Sequence, residues 1–109
     1  MTMATDKSQS GDDVDPETID DRDVRALTEY LFVEEFAEDL YRVYSEDGSF
    51  QVVEPDIGAC ECKDMQYRNP NGGCKHIRRT EFWTGRRELP AWADREAMDP
   101  LLVEAIGDA

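Results

Sequence analysis

The amino-acid sequence predicts a small α+β domain, in which an antiparallel hairpin or three-stranded sheet packs with one helix as a ββα unit, with short flanking helices. Three segments rich in aromatic and β-branched residues follow one another between residues 30 and 53, as is typical of strands. Apolar residues recur at helical spacing before and after these segments. The length of 109 residues fits one domain of ordinary size.

The first segment is predicted to be an acidic tail. Residues 1–18 contain almost no large apolar side chains, so burial cannot offset the entropy of ordering them, and we expect disorder. Beyond the tail, Val24, Leu27 and Leu31 recur at three- and four-residue spacing. This pattern predicts a short amphipathic helix over residues 20–29.

Three strands are predicted over residues 30–36, 40–45 and 50–53. Asp47 and Gly48, between the second and third, form a favoured pair for a tight hairpin turn in which both central positions need positive φ. We therefore expect the second and third strands to form an antiparallel hairpin. The first strand is expected to add to the edge of that hairpin.

A helix is predicted to begin at Cys74 or Lys75, after a polar loop, and to end at Gly85, which readily adopts the left-handed conformation. Its apolar side chains are expected to pack on the hairpin; they are Ile77, Phe82 and Trp83.

A last short helix is predicted near the C-terminus, with Asp99 as its cap, Pro100 as its first residue and Gly107 beyond its end. The chain then divides into the tail (1–18), a short helix with an edge strand (19–37), the ββα domain (38–85) and a C-terminal extension (86–109).

All three cysteines and the single histidine lie within one 17-residue window. Their order is Cys60-x-Cys62, eleven intervening residues, and then Cys74-x-His76. Zinc takes four thiolate and imidazole ligands in a tetrahedron. Residues two apart in an extended segment point the same way, so Cys60 and Cys62 can converge on one ion. The spacing therefore predicts one Zn²⁺ held by these four side chains.

The second half of the motif constrains where the helix begins. Residues two apart in a regular helix face nearly opposite sides, so Cys74 and His76 cannot both bind one ion from mid-helix. We place Cys74 at the helix start and His76 in the first turn, after the flexible pair Gly72 and Gly73. Because four protein ligands leave no position for water, the site is predicted to be structural.

This motif resembles that of the SWIM zinc finger, whose signature is C-x-C, a variable gap and C-x-H. Segments 41–48 and 50–53 also resemble the hairpin that leads into such domains. The resemblance covers about residues 38–85 and extends to small stand-alone SWIM proteins of halophilic archaea. It implies a ββα fold around zinc and a role in binding DNA or protein.

Two kinds of thiol chemistry are alternatives to metal binding. Cys74 and His76 could form a nucleophile–base pair, but the sequence suggests no third residue that would orient the histidine. Cys60 and Cys62 have the composition of a redox pair, but the one-residue gap strains disulfide geometry. We therefore expect a non-enzymatic protein, with a thiol redox sensor or cysteine enzyme as the least favoured alternative.

The charge balance is strongly acidic, with 26 acidic residues, 12 basic residues and a net charge of −14. Nine of the basic residues are Arg and only three are Lys. Acid-rich, Lys-poor surfaces keep proteins hydrated in concentrated salt, which predicts a halophilic source. A strong negative charge repels nucleic acid and anionic membranes at long range.

The charge is nevertheless unevenly distributed. Residues 60–89 contain seven basic and four acidic side chains, whereas the rest of the chain contains five and 22. A local basic excess is typical of a nucleic-acid interface. Alternatively, these basic side chains pair with acids elsewhere. A protein partner is the favoured ligand and nucleic acid the alternative. The candidate contact residues are Lys75, Arg78, Arg79, Arg86 and Arg87.

No segment approaches the ~20 apolar residues of a membrane span. The longest compact apolar run is residues 30–33, and the N-terminus lacks the apolar core of a signal peptide. We therefore expect a cytoplasmic protein with no membrane partner.

Overall fold

The computed structural model describes residues 19–107, and the predicted tail, 1–18, lies outside the described residues. The fold is α+β, as the sequence predicts. One 3₁₀ turn, Pro55–Ile57, follows the third strand. The elements in chain order are α1 (Asp21–Thr28), β1 (Leu31–Ala37), β2 (Leu40–Ser45), β3 (Phe50–Glu54), β4 (Ala59–Cys60), α2 (Lys63–Tyr67), α3 (Lys75–Thr84) and α4 (Pro100–Ile106).

The four strands form one antiparallel sheet in the order β1-β2-β3-β4. The prediction that the first strand adds to the hairpin edge is confirmed, because β1 pairs with β2. The predicted sheet lacked β4, which pairs Val53 with Cys60 and Glu54 with Ala59. A two-residue strand is too short to show an alternation of apolar and polar residues, so the sequence does not reveal it.

The turn between β2 and β3 differs from the prediction. Gly48 has a φ of +89°, but the non-glycine residues with positive φ in the described chain are Asp39 and Asn69. The loop therefore has three residues: the backbone N–H of Gly48 donates to the Ser45 carbonyl at 2.9 Å. Only its last position is left-handed, as in a type I turn followed by a bulge. The requirement for positive φ at Asp47 was wrong.

The first of two hydrophobic cores lies between the sheet and α3. Alternate residues of β1, β2 and β3 point into it. Ile77 of α3 packs there, as predicted. The buried members are Leu31, Val33, Tyr41, Val43, Val53, Cys62, Cys74 and Ile77.

The second core joins α3 to α1 and α4. Phe82 is buried here and not on the hairpin, which corrects the prediction for that residue. Phe82 and Ile77 are five positions apart and so point about 140° apart around α3. Trp83 contacts both cores. The buried members are Ala26, Leu27, Phe82, Met98 and Leu102.

Of the other helices, α1 and α4 were predicted from sequence and α2 was not. α1 and α4 agree with their predicted positions: Asp20 accepts a hydrogen bond from Arg22 N–H, and Asp99 accepts one from Leu101 N–H. By contrast, α2 lies in the segment predicted to be a polar loop. The sequence does not reveal it, because a helix of five residues is too short to show helical periodicity. Among the described residues, every helix is too short or too polar to cross a bilayer.

Candidate metal centre

The three cysteines and the histidine meet at one point. One ligand atom from each of Cys60, Cys62, Cys74 and His76 lies within 4.8 Å of the others. Cys60 ends β4, and Cys62 and Cys74 are the residues that precede α2 and α3. His76 lies in the first turn of α3. The predicted positions of Cys74 and His76 are confirmed, and the four side chains could hold a metal ion.

Sheet pairing positions the first two sulfur atoms. The pairing of Cys60 with Val53 fixes Cys60 against the hairpin. Cys62 is extended, with a φ of −68° and a ψ of 163°. The chain turns into α2 directly after it. An extended segment places the side chains of Cys60 and Cys62 on the same side, which is how two neighbouring thiols reach one ion.

Two glycines bring the chain into α3. Gly72 and Gly73 have φ values of +83° and +91°, a conformation that side chains with a Cβ rarely adopt. A Cβ at Gly73 would also lie 3.0 Å from Ile77 Cγ2, in the first core. The Gly-Gly pair is therefore required by the backbone that delivers Cys74, beyond the flexibility expected from sequence.

The cluster is largely shielded from water. Cys74 is 0 % exposed, Cys62 6 % and His76 9 %, and Cys60 is partly buried. His76 Nδ1 lies 3.8 Å from Cys74 Sγ. That distance is close to the separation of roughly 3.5–3.8 Å between ligand atoms around a tetrahedral ion with bonds of about 2.0–2.3 Å.

The thiols influence one another strongly. The pKa of Cys74 is lowered to about 4, chiefly by a hydrogen bond with Cys60 and in addition by His76 and the Ile77 backbone N–H, against the opposing effect of burial. The same Cys60–Cys74 interaction, with burial, raises the pKa of Cys60. Burial chiefly raises the pKa of Cys62. Three thiolates this close repel one another, and a bound cation removes that repulsion.

Ion pairs tie the cluster to α1. The Arg22 guanidinium donates to both carboxylate oxygens of Asp64, at 2.8 and 2.9 Å, and so links α1 to α2. This interaction lowers the pKa of Asp64. Lys75 Nζ lies 2.5 Å from a carboxylate oxygen of Glu29 and links the end of α1 to the start of α3.

A groove of about 470 Å³ opens beside the cluster. Its acidic lining residues are Asp21 and Asp64, and Cys62, Cys74 and His76 contribute to one wall. Its basic lining residues outnumber the acidic ones. They are Arg22, Arg25, Lys63, Arg68 and Lys75. Of these, only Lys75 was a candidate from sequence, because the others are spread over α1 and α2 and converge only in the fold.

Arg79 was a candidate contact residue, but its side chain is completely buried. One terminal nitrogen donates to the carbonyls of Ala26 and Glu29, at 2.8 and 2.9 Å. The other donates to the Leu31 carbonyl at 2.7 Å and to the Asp99 carboxylate. Arg79 therefore stabilises the junction of α1, β1 and α4 and has no surface available for a ligand.

Arg78 is also turned inward, at 3 % exposure. Its guanidinium donates to the carbonyls of Gly73 and Asn71, both at 2.8 Å. It also pairs with Asp20 at 2.8 Å and Asp23 at 3.0 Å. Its contacts hold the Gly-Gly turn and the start of α1 in place. The predicted basic surface is therefore absent at Arg78 and Arg79.

The three remaining candidates are partly exposed, and each has an acidic partner within the fold. This is the arrangement that the sequence left open as the alternative to a nucleic-acid surface. The shortest pairs are Lys75–Glu29 at 2.5 Å, Arg86–Asp56 at 3.0 Å and Arg87–Glu81 at 2.7 Å.

No family model, curated protein or solved structure matches this chain. The chemistry of the site is therefore argued from its four donor atoms and their surroundings. The resemblance to SWIM zinc fingers stays a prediction from the motif.

Proposed function

We propose that Cys60, Cys62, Cys74 and His76 hold one structural Zn²⁺, and that the protein is a non-enzymatic binding module built around this ion. The convergence of all three thiols and the single imidazole on one buried point carries the proposal. A donor set of three sulfur atoms and one nitrogen suits tetrahedral zinc. Four protein ligands leave no site for a reacting water.

The ion would contribute a large share of the stability. Structural zinc sites in small domains carry an apparent ~10–16 kcal/mol of binding free energy, comparable with the whole stability of a domain of this size. The four ligands connect β4, α2 and α3. Apart from the ligands, these elements contribute few side chains to the first core: Met65 from α2, and Ile77 and Trp83 from α3. Without metal, residues 57–85 should lose their fixed structure.

We further propose that the domain is of the SWIM type. The order of its parts supports this proposal: the β2–β3 hairpin comes first, then the paired cysteines, then Cys74 and His76 at the start of a helix. β1 extends the sheet of that unit, and α1 and α4 pack on α3 and complete the second core.

A protein is the proposed ligand. Arg78 and Arg79 are occupied inside the fold, which removes the centre of the basic surface on which a nucleic-acid interface would depend. The net charge of −14 opposes association with another polyanion. A protein partner needs no such basic surface.

Nucleic acid is the second candidate, and the groove beside the cluster is what favours it. Five basic side chains line the groove, and Arg25 and Arg68 are 57 % and 71 % exposed. Arg25→Gln combined with Arg68→Gln should weaken any binding of mixed-sequence duplex across a salt series, whereas Arg95→Gln, outside the groove, should not. No binding by the wild-type chain even at low salt would eliminate this candidate.

The zinc proposal is tested by mass spectrometry under native conditions, which should show one zinc per chain. His76→Ala should lose both the metal and helical order, as measured by circular dichroism. Lys63→Ala is the matched control and should keep both, because Lys63 follows Cys62 but is exposed and is not one of the four ligands. A metal-free chain that is fully folded, or full zinc affinity in His76→Ala, would contradict the proposal.

The non-enzymatic part of the proposal has its own test. In the zinc-loaded protein, Cys74 should react slowly with an alkylating agent, because its thiolate is buried and bound to the ion. Removal of zinc by a chelator should make all three thiols reactive. Rapid alkylation of Cys74 alone in the zinc-loaded protein would favour a nucleophilic cysteine.

A further inference from the structure

The sheet has one covered face and one open face. α3 packs on the face that carries Leu31, Val33, Tyr41, Val43 and Val53. The alternate residues point the other way. Phe32, on the edge strand β1, also reaches Trp83 of α3, with ring centroids 5.7 Å apart. We call this opposite surface the outer sheet face; its main side chains are Phe32, Phe36, Arg42, Tyr44, Phe50 and Val52.

The outer sheet face is aromatic and continuous. Phe32 lies opposite Tyr44, and Tyr44 lies opposite Phe50, so these three rings form a row across β1, β2 and β3. The ring centroids are 6.3 Å apart for the first pair and 5.3 Å for the second. Arg42 lies over the rings of Phe36 and Phe50, at 4.1 and 5.6 Å.

These rings are exposed to a degree that folding alone does not require. Phe32 is 41 % exposed, Phe36 38 % and Phe50 46 %. Phe32 and Phe50 lie at paired positions of the sheet, and Phe36, at the irregularity of β1, lies under Arg42. The rings are therefore held in position before any ligand arrives and lose little entropy on binding. A contiguous exposed aromatic patch of this kind marks an interaction surface in a monomeric fold.

Carboxylates surround the patch. Glu34 and Glu54 share its face by strand alternation, and Glu46 and Asp47 lie in the turn next to Phe50. Among the described residues of these strands, Arg42 is the basic side chain on this face, and it pairs with Glu34 at 3.5 Å. The rim is therefore negative. It repels nucleic acid and a second copy of this chain, and it attracts cationic groups.

We propose that the outer sheet face binds a protein segment whose apolar side chains are flanked by lysine or arginine. This inference rests on the proposed function of a protein-binding module, and it adds the surface and the chemical class of the partner. The apolar side chains of the segment lie on the rings of Phe32, Tyr44 and Phe50. Its cationic groups meet the carboxylates of the rim.

Binding is tested with the full, zinc-loaded chain, after native mass spectrometry has established one zinc per chain. The probe is an amphipathic 18-residue peptide of leucine and lysine, and isothermal titration calorimetry at about 0.15 M salt measures its affinity. A lysine–serine peptide of equal charge controls for charge alone. The leucine–lysine peptide should bind at least tenfold more tightly, and a leucine–glutamate peptide should not bind.

Variants locate the binding surface. Phe50→Ser and Phe36→Ser should each weaken binding of the leucine–lysine peptide about tenfold and leave the affinity for the lysine–serine peptide unchanged. Ile57→Ser is the matched control, because Ile57 is 71 % exposed but lies outside this face. Zinc content should be unchanged in all three variants. Each is assayed well below its own melting temperature, because Phe36 and Phe50 are more than half buried and also contact Arg42.

Three results would overturn the inference while one zinc remains bound. The first is equal affinity for the two cationic peptides. The second is an equal loss of affinity in Ile57→Ser and Phe50→Ser. The third is that the wild-type chain self-associates or binds RNA and that the Phe50→Ser variant does not, which would assign the face to another ligand. A chain that binds no zinc would contradict the proposed function instead.

Discussion

Arg79 of α3 and Asp99, the residue that caps α4, form an ion pair in which the side chains are 0 % and 5 % exposed. The same carboxylate accepts a hydrogen bond from the Leu31 backbone N–H at 3.2 Å, and the Asp99 backbone N–H donates to the Leu27 carbonyl at 2.8 Å. The pair therefore fastens α4, β1 and the end of α1 to the helix that begins at the metal centre.

Removal of Arg79 should destabilise the fold severely. Arg79→Ala leaves the Asp99 carboxylate buried without its counter-charge and leaves the carbonyls of Ala26, Glu29 and Leu31 without their donor. Loss of one partner of a buried pair costs about 3–5 kcal/mol. Chemical denaturation of the zinc-loaded protein measures this loss.

Arg25→Ala is the matched control for Arg79→Ala. Arg25 pairs with Asp21 four residues earlier, on an exposed face of α1, and such a pair contributes only about 0.3–0.5 kcal/mol. Arg79→Lys should also be destabilising, because a single ammonium group cannot donate to all four oxygen atoms that the planar guanidinium of Arg79 reaches. Equal stability of Arg79→Ala and Arg25→Ala would show that the buried pair does not hold these elements together.

The contrast between Arg79 and the metal ligands shows what a single sequence can predict. The metal ligands can be recognised in the sequence because they are rare residue types at short spacing. The capping residues of α4 can also be recognised, because they lie next to the helix in sequence. Arg79 has 26 acidic residues as possible partners, and only the packed chain selects Asp99. The sequence therefore predicts where metal chemistry sits, but it cannot tell a buried arginine from one on the surface.

The same limit applies to the packing of the helices. The sequence predicts that Phe82 packs on the hairpin. Its actual site exists only once Leu27 and Leu102 have come together from opposite ends of the described chain. β4 and α2 are missed for a different reason, since two and five residues show no periodicity.

Gly73→Ala should destabilise the chain segment that leads into the metal centre. The backbone at Gly73 has a φ of +91°, and a Cβ would lie 3.0 Å from Ile77 Cγ2 and 3.1 Å from Ile77 Cβ. Backbone strain at such a position costs about 1–3 kcal/mol, and the contact with a buried side chain adds to it. We expect lower stability and weaker zinc binding, measured by denaturation and by competition with a chelator.

Gly48→Ala separates the two contributions. Gly48 has a nearly equal φ of +89°, but a Cβ there meets no heavy atom within 4 Å. Its loss of stability should reflect strain alone, and zinc affinity should stay at the wild-type level. If Gly48→Ala were as destabilising as Gly73→Ala, the contact with Ile77 would have no weight.

Tyr44 should titrate at unusually high pH. Its hydroxyl donates to a Glu34 carboxylate oxygen at 3.0 Å, and this hydrogen bond, with burial and the nearby negative charge, raises the pKa of Tyr44 above its ordinary value of 10.0. Because the folded-state pKa is raised, the hydrogen bond stabilises the fold below about pH 10 and is lost as pH rises through the folded-state pKa.

Absorbance at 295 nm measures this titration. The chain has four tyrosines, and Tyr44→Phe should remove the last step of the curve. Glu34→Gln should move that step to lower pH, since the amide cannot supply a negative charge. A Glu34→Gln curve that coincides with the wild-type curve would contradict the assigned hydrogen bond.

Salt should stabilise this protein. The excess of 26 acidic over 12 basic residues makes self-repulsion the dominant exposed electrostatic effect. The exposed pairs that salt weakens, such as Arg25–Asp21, contribute little, and Arg79–Asp99 is screened far less because it is buried. The melting temperature should therefore rise as KCl increases from about 0.1 M to 1 M, over which the Debye length falls from about 10 to 3 Å.

Glu38→Lys, in an exposed turn, should reduce that rise in melting temperature, because it removes one negative charge and adds a positive one. A melting temperature that fell with added KCl would show that exposed ion pairs outweigh the repulsion.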